Sequence, residues 1–395
     1  MTKKTNVDFK NTEIAFKHLS TSELLKAWTL FRAINIRPLV SVGPPIISWA
    51  LKARLPVKCL LRTTVFRHFC GGETLEECSK TIDQLHKGGV YSILDYGVEG
   101  EKTEAGFDAA RDEVLRVVEA TKANPLVPFC VFKLTALARF ELLEIVSKDG
   151  ADGLDSDLSA EWSRVKSRVK GICDAAVSAG KLVMIDAEET WIQKAIDQLS
   201  LSVMRKHNTQ SAKIYTTIQM YRKDGLANVE ALLNLGRQEK WHPGIKLVRG
   251  AYMEKERTRA KDKGYASPIH DSKESTDKAY DSALKLILAK ESGASLCAGT
   301  HNFESTAFVT SLMEGQHIAK NSSTVWFAQL LGMSDDLTFN AANAGYNAAK
   351  YVPYGPISAV LPYLFRRAEE NTSIAGQSSR ELSLIERELL RRKSV

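Results

Sequence analysis

Residues 181–221 read KLVMIDAEETWIQKAIDQLSLSVMRKHNTQSAKIYTTIQMY. Two short apolar runs, KLVMIDA from Lys181 and KIYTTIQMY from Lys213, flank a longer stretch with helical spacing from Trp191 to Lys206. A strand, a helix and a second strand in this order make a βαβ unit, in which the helix crosses over so that the strands run parallel. The same texture begins after Gly88-Gly89 and continues to the C-terminal region. Candidate strands are VYSILDY (from Val90), PFCVFKL (Pro128), the two above, IKLVRGAY (Ile245), SLCAGTHN (Ser295), TVWFAQLLG (Thr324) and AAKYVPYG (Ala348). Eight βα units are the count for a closed (β/α)8 TIM-type barrel. A doubly wound open sheet is the rival, but no Gly-x-Gly-x-x-Gly follows any strand, and no P-loop occurs.

Outside the barrel, residues 1–88 are expected to form an N-terminal helical arm, basic and partly apolar, with residues 89–395 as the catalytic barrel. The tail carries a capping box, Ser378-x-x-Glu381, ahead of LSLIERELLRR, expected as a C-terminal helix.

The chain has 395 residues, 44% hydrophobic and 26% charged, and an ordinary globular composition. Cys59, Cys70, Cys78, Cys130, Cys173 and Cys297 are scattered without a Cys-x-x-Cys pair, which argues against a zinc site or a disulfide framework. No apolar run suits a bilayer span. The start, MTKKTNVDFKNTEIAF, lacks a secretory apolar segment and includes Asp8 and Glu13, so a mature cytosolic start is expected.

The net charge of +7 is uneven. From Leu24 to Gly72 there is no Asp or Glu, while Lys26, Arg32, Arg37, Lys52, Arg54, Lys58, Arg62 and Arg67 are interleaved with Trp28, Phe31, Ile46, Ile47, Trp49, Leu51 and Leu55. This pattern suits an anionic membrane surface. A helical arm packed on the main domain explains it equally well. Nucleic acid is disfavoured, because the segment is too apolar and no recognition motif accompanies it.

The apolar runs end, in order, at Asp95 and Glu99, Lys133, Asp186, Gln219, Lys246 with Arg249 and Tyr252, then Thr300, His301 and Asn302, Gln329 and Leu330, and Tyr351, so polar or charged residues end nearly every one. In a (β/α)8 barrel chemistry gathers at the C-terminal strand ends. No carboxylate–histidine cluster has catalytic-metal spacing, and no Ser or Cys sits in a nucleophile elbow. Lys133 and Lys246 leave a Schiff-base aldolase-type barrel open. Nearer the C-terminus, the sequence Tyr363-Leu-Phe-Arg366-Arg367-Ala-Glu-Glu370-Asn371 places Tyr363, Arg366, Arg367 and Glu370 on one helix face. Paired guanidiniums beside a ring suit a small carboxylate with an apolar body, against the blander reading of a solvated face. The cations exceed what one carboxylate needs, which points to a second anionic ligand such as a cofactor pyrophosphate.

With these motifs in order, the chain resembles the proline dehydrogenases, FAD-dependent (β/α)8 enzymes that oxidise L-proline to Δ1-pyrroline-5-carboxylate. The resemblance runs from Gly71-Gly72-Glu73 onward. It rests on Phe132-Lys-Leu-Thr-Ala-Leu137, Ile185-Asp-Ala-Glu-Glu189, Ile218-Gln-Met-Tyr221, Lys246-Leu-Val-Arg-Gly-Ala-Tyr252, Gly299-Thr-His-Asn302, Gln329-Leu-Leu-Gly-Met333, Tyr351-Val-Pro-Tyr-Gly355 and the arginine pair. It is closest to the single-function form. The resemblance implies that Arg366, Arg367 and Lys133 bind the proline carboxylate, and that Glu99 pairs with Arg366 and gates the pocket. Tyr252, Leu330, Tyr351 and Tyr363 would pack around the pyrrolidine, with Asp186 close by. Lys133, Asp186, Tyr252, Tyr351 and the two arginines form the expected catalytic set. Gln219, Lys246, Arg249, Thr300, His301, Asn302 and Glu370 would hold FAD, with Lys246 near flavin N5, where bifunctional relatives have arginine. No metal is expected. Hydride would pass from C5 to FAD, and electrons onward to a membrane quinone. The protein would then be cytoplasmic and peripheral at the inner face of the cytoplasmic membrane, or on the matrix side of a mitochondrion. Hydroxyproline dehydrogenase is the alternative within the resemblance.

Overall fold

A computed structural model describes residues 6–36, 45–47, 50, 53, 56–97, 102–373 and 377–394. Its eight strands are β1 (Tyr91–Tyr96), β2 (Phe129–Phe132), β3 (Leu182–Ile185), β4 (Ile214–Gln219), β5 (Gly244–Val248), β6 (Ser295–Gly299), β7 (Val325–Leu330) and β8 (Ala348–Tyr354). They form one closed barrel in sequence order. All eight expected strands are present. Most are shorter at the C-terminal end than their apolar runs suggested, so Lys133, Asp186, Arg249, Tyr252 and Thr300–Asn302 leave the ladder and lie in the connections.

Two compact units divide the chain: Glu99–Ala328 with Met1–Asn6, and Val7–Val98 with Gln329–Val395.

In the first unit the register is parallel throughout. Phe129 pairs with Leu182, Ile185 with Thr216, Thr217 with Lys246, and Lys246 with Cys297. Inside the barrel Phe129 packs edge-on against Tyr215 and Trp326, with ring centroids 5.7 and 5.1 Å away. The ring of Tyr215 needs the missing side chain of Gly244. A Cβ there would lie 2.9 Å from Tyr215 Cγ and 2.4 Å from the Ile214 carbonyl oxygen. Outside, the helices Phe140–Asp149, Ser156–Ser178 and Thr190–His207 cover β2 and β3. Their apolar faces bury Leu142, Leu143, Val165, Val169, Ile172, Ile192, Ile196 and Leu199 against Val183 and Ile185. Each such side chain contributes roughly 1.5–3 kcal/mol.

In the second unit β1 pairs with β8, Ile93 opposite Tyr351. The arm begins with a short helix, Thr12–Phe16, and then Thr21–Ile34, opened by a capping box between Ser20 and Glu23. This second helix buries Leu24, Ala27 and Phe31 against Leu384 and Ile385 of the C-terminal helix Gln377–Lys393. Trp28 donates from Nε1 to Glu386 Oε1 at 3.0 Å. Thus part of the acid-free segment is packing surface. Leu25, Ile36, Ile46 and Leu60 are exposed. Arg37, Trp49, Leu51, Lys52, Arg54 and Leu55 fall outside the described residues.

The C-terminal helix departs from expectation. It already includes Gln377, so Ser378 is not its cap, and Glu381 turns inward to accept the Ser334 amide at 2.7 Å. Ser334 has φ 52°, and a buried carboxylate meets its amide at the start of the helix Asp335–Asn343. The capping-box pattern is local, whereas burying Glu381 needs a donor from a loop more than forty residues away.

Candidate active site

In the first unit, the connections after β2, β3, β5 and β6, with β4 and β5 themselves, bring the expected residues together. Lys133 follows β2 in extended backbone and opens the short turn Leu134–Ala136. Asp186 follows β3, its amide held by the Phe132 carbonyl at 3.1 Å. Lys246 projects from β5. Its Nζ donates to Asp186 Oδ1 at 2.6 Å, and Lys133 Nζ donates to Asp186 Oδ2 at 3.2 Å. One buried carboxylate therefore holds two ammonium groups. Burial alone would raise the Asp186 pKa, but Lys246 and then Lys133 outweigh it and hold it below the usual carboxylate range. Lys246 is not a strand-end residue, as its apolar run suggested: it lies two residues inside β5, where a charge is tolerated because Asp186 reaches it.

Gln219 ends β4, and its Nε2 donates to the Glu188 carbonyl at 2.7 Å. Arg249 follows β5 and donates to Asp277, Thr300 Oγ1 and Ser305 Oγ at 2.7, 2.7 and 3.0 Å, its guanidinium over the Tyr280 ring. Asn302 caps the helix Phe303–Gly315, taking the Ser305 amide, while its own amide donates to Thr300 Oγ1 at 3.1 Å. His301 lies between them, half-buried. Tyr252 opens the helix Met253–Lys263 and is also half-buried.

Several partners here were not singled out from the sequence: Thr135, Glu188, Gln193, Asp277 and Ser305. Glu188 stood inside a quoted motif, but nothing in its spacing distinguishes a buried carboxylate from a solvated one. Burial raises its pKa to about 7, against two hydrogen bonds from Thr135 and the charge of Lys133.

In the second unit, Leu330 ends β7. Tyr351 lies mid-strand in β8 and is 6% exposed; the strand runs on to Tyr354, so Tyr351 does not end it as its motif suggested. The Leu331 amide donates to the Tyr351 carbonyl at 2.9 Å. Beside it Lys350 is fully buried. Its Nζ donates to the Met333 carbonyl at 2.5 Å and the Leu330 carbonyl at 3.4 Å, and pairs with Asp335 Oδ1 at 2.7 Å. Tyr363, Arg366 and Arg367 share the helix Ile357–Ser373, with the Arg367 guanidinium 5.2 Å from the Tyr363 ring centre. Both Tyr363 and Arg367 are buried. A guanidinium buried on an aromatic face is not a solvated basic surface, which removes the blander reading for Arg367. Glu99 and the Glu370 side chain lie outside the described residues.

This chemistry narrows the reaction. Schiff-base catalysis needs a desolvated neutral amine, whereas Lys133 and Lys246 are both ion-paired to Asp186. Among the described residues no group of His, Cys, Asp and Glu could hold a metal, and no helix is long and apolar enough to cross a membrane. The side chains on β4, β5 and the β6 connection that could hold an anionic cofactor are the Gln219 amide, the Thr300 hydroxyl and the cations of Lys246 and Arg249.

A family model described as Proline dehydrogenase matches residues 78–380. The chain is 36% identical to the carbapenem antibiotics biosynthesis protein CarD of Pectobacterium carotovorum subsp. carotovorum, covering 85% of this chain and 88% of that protein. It is 28% identical to the mitochondrial proline dehydrogenase 1 of Caenorhabditis elegans, with coverages of 98% and 89%. It is 31% identical to the hydroxyproline dehydrogenase of Xenopus laevis, with coverages of 95% and 88%. Among solved structures, it superposes on proline utilization A from Bdellovibrio bacteriovorus, inactivated by N-propargylglycine, with a TM-score of 0.71 at 18% identity. That match speaks to fold alone. It covers 93% of this chain and 42% of that longer one.

Proposed function

The chain belongs to the proline dehydrogenase family, and on that footing we propose that it oxidises L-proline to Δ1-pyrroline-5-carboxylate. FAD held by Gln219, Lys246, Arg249, Thr300, His301, Asn302 and Glu370 would supply the hydride acceptor for C5 of the substrate. The observation that carries the reading is the grip of Asp186 on both Lys133 and Lys246. It fixes two cations that the family motifs assign to substrate and to cofactor.

In this reading Arg366, Arg367 and Lys133 bind the carboxylate, and Glu99 pairs with Arg366. Tyr252, Leu330, Tyr351 and Tyr363 enclose the pyrrolidine. This is catalysis by positioning, since a fixed carboxylate leaves the ring one productive pose. A cation-rich pocket also favours the neutral amine, whose lone pair assists loss of hydride. Residues 1–88 act as the arm. Its acid-free segment, with Leu25, Ile36, Ile46 and Leu60 exposed, suits contact with an anionic membrane that supplies a quinone acceptor. In this reading the protein is peripheral at the inner face of its membrane.

Hydroxyproline is the second reading, favoured by the Xenopus relative. Buried Tyr351 weighs toward proline, since a 4-hydroxyl needs both volume and a hydrogen-bond partner. The test is anaerobic addition of L-proline or trans-4-hydroxy-L-proline to the purified yellow protein. Rapid bleaching of the flavin band by L-proline, with a weaker response to the hydroxylated analogue, is expected. A colourless protein, or a flavin that neither substrate bleaches, refutes the proposal.

A further inference from the structure

Between the expected substrate lysine and the expected flavin amide lies a group with no role so far, the side chain of Glu188. It sits in the connection after β3 and is 3% exposed. Its Oε1 accepts the Thr135 amide at 3.0 Å, and its Oε2 meets Thr135 Oγ1 at 2.5 Å. Thr135 lies in the turn that Lys133 opens. The main chain of Glu188 is tied as well: its amide donates to Gln193 Oε1 at 3.0 Å, and its carbonyl takes Gln219 Nε2 at 2.7 Å. One residue thus joins the ends of β2, β3 and β4 and the helix Thr190–His207. We infer that Glu188 is a positioning residue: its side chain clamps the Lys133 turn, and its main chain aims Gln219. The inference rests on the reading of Lys133 as a carboxylate ligand.

The clamp holds in either protonation state. An ionised Glu188 accepts both the Thr135 amide and the Thr135 hydroxyl, and a neutral carboxyl keeps the amide on one oxygen and donates from the other to the hydroxyl. Burial favours the neutral form, raising the pKa to about 7. The two hydrogen bonds from Thr135, and then the charge of Lys133 on the β2 side, oppose it. On its own segment Glu189 favours the neutral form, while pairing with Lys255 from the helix Met253–Lys263. Asp186 is taken up by Lys133 and Lys246. The other facing groups, Gln193 and Gln219, are uncharged. Above pH 7 an ionised Glu188 adds a like charge near the bound substrate carboxylate, so affinity falls. Glutamine reproduces the neutral clamp, with Oε1 accepting the amide and Nε2 donating to the hydroxyl.

The experiment is equilibrium binding, read from the flavin spectrum, of a saturated five-membered-ring carboxylate that has no amine and cannot be oxidised. It is run from pH 5.5 to 8.5 on wild type, Glu188→Ala, Glu188→Gln and Lys133→Met. Wild type is expected to lose affinity through pH 7. Glu188→Gln keeps wild-type affinity at pH 6 and shows no step. Glu188→Ala binds about tenfold more weakly at pH 6 with its flavin content retained. Lys133→Met reports on the underlying reading: if it binds as wild type does, that reading falls and the positioning role with it. If Lys133→Met weakens binding while Glu188→Ala stays within twofold of wild type, the positioning role alone is overturned. If Glu188→Ala does not fold, the pH profiles decide, and a step that persists in Glu188→Gln overturns the role.

Discussion

Replacing Lys350 with Met keeps the length of the side chain and removes a fully buried ammonium. That ammonium pairs with Asp335 at 2.7 Å and donates to the carbonyls of Met333 and Leu330. Asp335 would keep His18 at 3.7 Å, an imidazole whose pKa burial lowers and which is therefore a weak counter-charge at pH 7. Breaking a buried pair by removing one member costs about 3–5 kcal/mol. For 395 residues, roughly 2.1 cal/mol/K per residue gives an unfolding entropy of about 0.8 kcal/mol/K, so the melting temperature should fall by about 4–6 °C. The pH dependence carries a sign. In the wild type burial raises the Asp335 pKa, but Lys350 and then His18 hold it below the usual range. Its stabilisation is present above the unfolded pKa and is lost as pH falls through the lowered folded value. In the variant burial acts with far less opposition, the pKa rises, and protonation relieves the unpaired charge. The deficit should therefore shrink as pH drops from 7 toward 4. Calorimetry of both proteins across that range is the assay. Because Lys350 also grips the Leu330–Met333 loop, proline KM should rise as well. A melting temperature within 1 °C of wild type at pH 7, or a deficit unchanged down to pH 4, would refute this account of the buried pair.

Two further outcomes concern the site and one the arm. Arg366→Met or Arg367→Met removes charge-assisted bonds worth roughly 1.5–3 kcal/mol each, so proline KM should rise at least about tenfold with flavin content kept; steady-state kinetics showing an unchanged KM in both variants ends the carboxylate assignment. Tyr351→Ser opens volume beside β1 and supplies a hydroxyl partner, so kcat/KM should fall for L-proline and rise for trans-4-hydroxy-L-proline. A parallel loss on both substrates would mean that Tyr351 does not set the selectivity. The acid-free arm should make the protein co-sediment with anionic vesicles and release it at high salt. Equal binding to neutral and anionic vesicles at every salt concentration would remove the electrostatic part of that proposal.

The eight strands were legible because each is a short apolar run bounded by polar residues, a pattern that local sequence carries. Their number and alternation with helices were enough for the closed barrel. The long motifs were enough for the family, since residue identity and order need no coordinates. The partnerships were not legible. Asp186 holds Lys133 from 53 residues away and Lys246 from 60, and only closing parallel strands side by side brings them within reach. Glu188 stood unassigned inside a family motif and Glu381 in an expected capping box, yet both are buried, one on the Lys133 turn and one on the Ser334 amide. Periodicity tells which face of a segment avoids water. It says nothing about which distant donor will meet a buried charge, because that depends on the register and closure of the whole barrel. The acid-free arm shows the same limit: its composition suits a lipid surface, but packing placed Leu24, Ala27 and Phe31 on the C-terminal helix and left Leu25 and Ile36 exposed.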